Sequence, residues 1–173
     1  MCIRDSSLSL ALYDQLQALH GLDPQDRLLL HCAALLHECG GFIADESHHK
    51  HSQYIIQHSE IFGLSKSDTN IIALIARYHR NSPPKPSHTI YRDLDTQQQI
   101  RVSKMASLIR IADALDRRHL PLTKTITVEL TPEILHIHLI GYNDASVERI
   151  SMKSKSNLFQ NIFGLEIHLH ETI

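Results

Sequence analysis

The stretch "LLHECGGFIADESHHKHSQYI", residues 35–55, decides how the chain is read. It closes one apolar helix, turns at a double glycine and opens a second helix. It also carries four histidines (His37, His48, His49 and His51), with Glu38 beside the first. Upstream, Leu28, Leu29, Cys32, Ala33, Leu35 and Leu36 recur at helical spacing, so this helix buries a face. Asp23 and Pro24 start it as N-cap and first helical residue. Gly40 and Gly41 are expected to end it, because glycine accepts the left-handed conformation found at helix C-termini. The next helix is expected from about His49 to Ser59.

Working outward, Leu8, Leu12, Leu16 and Leu19 form one helical stripe before this unit. The opening "MCIRDSS", residues 1–7, fits no later pattern and reads as a non-native start, with a truncated helical region behind it. On the other side, "SKSD" at Ser65 to Asp68 resembles a capping box with Asp in place of Glu. It opens a helix through Ile71, Ile72, Leu74, Ile75 and Tyr78. The prolines of "NSPPKPSHTIYRDLD" exclude regular helix there. A long helix then runs from about Thr96 to Arg118, with Val102, Met105, Ala106, Ile109, Ala112 and Leu115 as its apolar face. After Pro121 the pattern changes. "TKTITVEL" and "ILHIHLI" alternate apolar and polar residues and read as a β-hairpin. Asp144 caps a helix ending near "LFQNIFG", and "LEIHLH" is a last strand. The expected fold is mainly α: a helical domain over residues 8–122, then a small β-β-α-β tail over residues 123–173.

Charge and cysteine usage narrow the partners. The net charge of −2 gives no reason to expect nucleic acid or a membrane surface. Its distribution is uneven: from Arg77 to Lys124 ten Lys or Arg stand against four Asp or Glu. That asymmetry favours a basic face and an anionic partner, although a solvated surface would look the same. Cys2, Cys32 and Cys39 contain no CxxC pair, which points to a reducing, cytoplasmic setting without structural disulfides. The longest apolar run, Ile71 to Ala76, is far short of the ~20 residues a membrane span needs.

Several residues could carry chemistry. His37 and Glu38 sit at a helix end, His48, His49 and His51 follow the glycines, and His79 ends the "IARYHR" helix. Asp113 lies among Ile109, Ile111 and Leu115, where a carboxylate needs a reason. His37, Glu38, His79 and Asp113 together could make an N/O site for a divalent cation. The plainer alternatives are an ion pair on a helix flank for Asp113 and a solvated loop for the three histidines. His136, His138, His168 and His170 alternate on expected strands and should share one polar sheet face.

The strings "LLHECGGFI", "HHKHSQYII", "IIALIARYHR" and "LIRIADALDRRH" resemble the C-terminal HD-type region of the exopolyphosphatase and guanosine pentaphosphate phosphohydrolase (Ppx/GppA) family. "FQNIFGLEIHL" resembles the end of that family's chain. The resemblance implies an HD-like helical bundle, a small α/β tail, and two actin-like catalytic domains that would precede this region. Those domains hold the family's magnesium-dependent hydrolytic site. The region seen here would then grip polyphosphate or guanosine pentaphosphate and make homodimer contacts. By the HD pattern His37 is half of a dyad and Asp113 the distant carboxylate. Glu38 departs from the pattern's Asp, and the leading His should lie upstream of Leu8, where only "MCIRDSS" stands. Many members of the family carry His-Glu, so the resemblance implies a degenerate metal site serving an anion-binding surface. Its candidates are His48, His49, Lys50, His51, Arg77, Arg80, Arg117 and Arg118. Two alternatives stay open: a freestanding metal-dependent phosphohydrolase acting on a nucleotide, and a dimerisation or docking module.

Overall fold

The computed structural model describes residues 2–80, 82–118 and 125–172. The expected change of texture at Pro121, the boundary at 122/123 and the opening of the "TKTITVEL" strand at 123–124 lie outside the described residues, as do Asn81 and His119.

The element order is α1 (Cys2–Gln15), α2 (Gln17–His20), α3 (Pro24–Leu36), a 3-10 turn (Cys39–Phe42), α4 (His48–Gln57), α5 (Lys66–Tyr78), α6 (Thr89–Arg92), α7 (Thr96–Leu115), β1 (Thr125–Leu130), β2 (Ile134–Ile140), α8 (Ser146–Lys155), α9 (Asn157–Phe163) and β3 (Glu166–Thr172). The protein is mainly α with a small C-terminal sheet. Residues 2–7 are continuous with the first turns of α1, and Asp5, Ser6 and Leu8 are buried there.

Local chemistry sets the helix starts. The Asp23 and Ser65 side chains accept from the Asp26 and Asp68 amides, and each third residue returns the bond to the cap. A further capping box joins Asp95 and Gln98 at the start of α7. Asp26 also accepts from Arg101 Nε at 2.7 Å, which fastens the start of α3 to α7.

α5 and α7 are buried on nearly every side over Ile71–Ala76 and Met105–Ala112, as expected of helices enclosed by other elements. α1 and α3 pack against α7 and each other, α4 against α5, and α8 and α9 close over α7. The apolar cluster is continuous from Leu12 and Leu29 through Ile72 and Ile109 to Ile137, Phe159 and Leu169.

The sheet has order β1-β2-β3, with β1/β2 antiparallel and β2/β3 parallel. Parallel pairing needs a crossover, which α8 and α9 supply. The tail therefore holds two helices where one was expected, α8 giving way to α9 at Ser156. His136 pairs with His168 and His138 with His170 across the parallel strands, so all four imidazoles share one face. His136 Nδ1 lies 2.8 Å from His170 Nε2, and His138 stacks on His170. On the edge of β1 the Gln15 amide donates to Ile126 O at 3.1 Å and accepts from Val128 N at 2.9 Å. On β3 the Arg149 guanidinium donates to Leu169 O at 2.9 Å and pairs with Glu171.

The double glycine acts differently from the expectation. Neither Gly40 nor Gly41 has a positive φ. The need at Gly40 is space: a Cβ there would stand 2.2 Å from His48 O and 2.3 Å from Ser52 N. Gly40 N donates to Ser52 Oγ at 2.9 Å, and Ser52 Oγ donates to His37 O at 2.7 Å. These contacts draw the start of α4 onto the end of α3.

Candidate functional site

Three helix ends meet beside that glycine. At the end of α3, His37 Nδ1 donates to Ala34 O at 2.8 Å. At the end of α5, His79 Nδ1 donates to Ala76 O at 2.6 Å. A carbonyl oxygen can only accept, so Nδ1 carries the proton in both rings and, in the neutral form, Nε2 holds a lone pair. The two rings meet edge to face at 4.8 Å. His48, the first residue of α4, stacks on His79 with the two Nε2 atoms 3.2 Å apart. Burial lowers the pKa of His37, and it holds that of His79 well below the usual imidazole range. Both rings are neutral at pH 7. His37 Nε2 is buried without a hydrogen-bond partner, and its nearest acid is Asp5 Oδ2 at 3.7 Å. Burial first, then the Asp116 and Glu38 carboxylates, raises Asp5 to about 7.

In front of these rings lies a cavity of about 440 Å³. Glu38, His48, His79, Arg80, Asp113 and Arg117 line one side. α8 supplies the other through Ser151, Ser154 and Lys155. The Lys155 ammonium pairs with Asp113, and the two side chains are 12% and 17% exposed, so the pair is shielded from water. Burial lowers Lys155 to about 8.

The structure thus gathers six of the expected residues at one pocket and holds a seventh, His37, behind His79. The others stand apart from its lining. His49 is half-buried edge-on to His48, and burial with the neighbouring Arg80 pushes its pKa down to about 4, so it is neutral at pH 7. Lys50 is exposed and His51 lies further along α4. Arg77 donates to Gln53 Oε1. Arg118 is held by Glu148 at 2.9 and 3.0 Å.

Sequence reasoning missed Lys155, Ser151 and Ser154, which sit in a short helix of the tail with no motif tying them to the histidines. It also missed Arg110. That side chain is fully buried on α7 and donates to Tyr78 O and Ser82 O at 2.7 Å and to Asn157 Oδ1 at 3.1 Å. It holds the end of α5, and so His79, in place. A cation at a helix C-terminus also suits the helix dipole.

The metal expected between His37, Glu38, His79 and Asp113 can be tested against this geometry. The chemistry of the donors suits a cation, since Nε2 lone pairs and carboxylates are all acceptors. Their arrangement does not. Among the described residues no group of three His, Cys, Asp or Glu is placed to hold a metal ion, and Asp113 is already engaged by an ammonium.

Comparison with known proteins decides the family. A family model described as Ppx/GppA phosphatase, domain III, matches residues 3–158. The chain belongs to the Ppx/GppA phosphatase family. Curated relatives of this Ppx/GppA chain include a guanosine-5'-triphosphate,3'-diphosphate pyrophosphatase of Pseudoalteromonas translucida. It is 35% identical over 103 residues, covering 60% of this chain and 19% of the relative. The protein of the same name from Aliivibrio fischeri is 25% identical over 121 residues, covering 69% of this chain and 23% of the relative. The match to the Photobacterium profundum protein of that name is 26% over 89 residues, covering 51% and 18%. The aligned part of the chain spans about a fifth of these relatives' length. Among the described residues no helix is long and apolar enough to cross a membrane.

Proposed function

We propose that this Ppx/GppA chain is the phosphate-gripping, regulatory part of a phosphoanhydride hydrolase. Its ligand would be polyphosphate or a guanosine pentaphosphate of the kind named in the relatives. The bond-breaking itself would belong to actin-like domains outside this chain, together with their divalent cation. One observation carries the reading: a single cavity collects Arg80 from the end of α5, Arg117 from the end of α7, Lys155 from α8 and the His48 ring from α4. Arginine forks and an ammonium are the side chains that hold phosphate oxygens best. Arg80 and Arg117 are exposed at the rim, where an extended anion can reach them. The free thiols of Cys32 and Cys39 fit a cytoplasmic setting.

The test is titration of the chain with long-chain polyphosphate and with guanosine pentaphosphate at two salt concentrations. Affinity should fall steeply with salt, by analogy with counterion release from nucleic acids. Arg80→Ala and Arg117→Ala should each weaken it by roughly two- to fivefold, the scale of exposed ion pairs. Weak binding that ignores both salt and these substitutions would sink the reading.

Docking and self-association have a separate observation in their favour. Phe42 on the 3-10 turn is 96% exposed, beside the exposed Ile43. Phe42→Ser should leave the solution mass of a monomer unchanged and should reduce that of a dimer built on this patch.

A further inference from the structure

Two carboxylates, Glu38 and Asp113, line the cavity, and behind His79 the buried His37 Nε2 makes no hydrogen bond. Carboxylates on a half-buried cavity wall are costly to leave unpaired, and a cation beside them offsets that cost. A divalent ion is one solution. The structure holds another on its own chain: Lys155, from the last turn of α8, is ion-paired with Asp113. Its charge also acts on Glu38, Asp5, His37 and His79. A lysine ammonium is a compact point charge with three rotatable donors, so it can face several acceptors at once.

We propose that the Lys155 ammonium, paired with Asp113, is the resident cation of this pocket, and that the pocket takes its phosphate ligand without a metal. This rests on the anion-binding reading above. The tethered cation serves two partners: one side neutralises Asp113, and the cavity side remains for a phosphate oxygen. Because Lys155 belongs to α8 while Asp113 belongs to α7, the closure of the C-terminal tail over α7 completes the site.

The experiment is calorimetric titration of the chain with Mn2+ and, separately, with tripolyphosphate, with and without EDTA. It compares the natural sequence with Lys155→Met and Lys155→Arg, each checked for native circular dichroism. The natural chain should take up no stoichiometric Mn2+, and EDTA should leave its tripolyphosphate affinity unchanged. Lys155→Met, which keeps the apolar stem, should lose about tenfold or more in tripolyphosphate affinity. Lys155→Arg should retain anion binding and take no Mn2+, a rescue by charge that a packing role would not give. Stoichiometric Mn2+ in the natural chain, EDTA-sensitive anion binding, or a folded Lys155→Met that keeps its tripolyphosphate affinity would each overturn the proposal. Should tripolyphosphate fail to bind the natural chain at all, the anion-binding reading falls. The Mn2+ arm then decides the metal-free pocket alone: no uptake by the natural chain supports it, and stoichiometric uptake overturns it.

Discussion

His20 shows how a single imidazole can be structural in this histidine-rich chain. Its Nδ1 accepts from Leu22 N at 2.9 Å and its Nε2 donates to Tyr13 O at 2.8 Å, which fixes the neutral tautomer. Burial lowers its pKa, and His49 is lowered to about 4. For both groups the folded value lies below the unfolded one, so the native state binds fewer protons. Their stabilisation is present above an unfolded pKa of about 6.5 and is lost as pH falls. The melting temperature should therefore drop between about pH 7 and pH 5. His20→Asn keeps an acceptor near the Leu22 amide and removes one titrating ring, so its drop should be smaller; an equal drop in both proteins would refute this assignment. Part of this scale was legible in advance. Asp113 demanded a partner because it lay among apolar residues, but the adjacent arginines were the visible candidates. The partner found, Lys155, is distant in sequence and lies in a helix whose spacing points to nothing. Only packing brings the two together.

Among elements, the junction between α3 and α4 is the sharpest case. Gly40 is required by close approach, so Gly40→Ala forces the His48 carbonyl and Ser52 amide away and should destabilise the fold by about 1–3 kcal/mol. At Gly41 an added Cβ meets only Asp45 Oδ1, at 3.9 Å, and Gly41→Ala should change stability by less than about 0.5 kcal/mol. Urea unfolding of the two variants separates this account from one based on left-handed backbone, which would penalise both. The starts of α3 and α5 were readable because capping uses neighbours three residues apart, as at Asp23 and Ser65, whereas α8 is capped at Ala145 and not at the expected Asp144. Helix ends were not readable. α7 stops at Leu115, short of Arg118, and α6 forms inside the stretch 81–95 that was expected to exclude helix, just past its prolines. The division of the tail into α8 and α9 was equally hidden, since Ser156 keeps right-handed helical angles at the join.

Across the whole molecule, the tail and the helices share one apolar interior. Ile126, Leu135, Ile137 and Phe159 belong to the same cluster as Leu12 and Ile109. Urea unfolding followed by near- and far-ultraviolet circular dichroism should give one coincident transition. Two separated transitions would show that the tail folds independently of the helices. The mainly α character and the small sheet were visible from periodicity alone, because period 3.6 and period 2 differ over a few residues. The parallel register that aligns His136 with His168 was not, since pairing between distant strands leaves no local mark.

A short sheet leaves backbone groups open at both flanks, and a stray chain could add itself there. Here the Gln15 amide occupies a rung beside β1, while Arg149 takes the Leu169 carbonyl beside β3. Each flank is thus partly stoppered from within, and replacing these two polar side chains would leave those rungs open to an added strand.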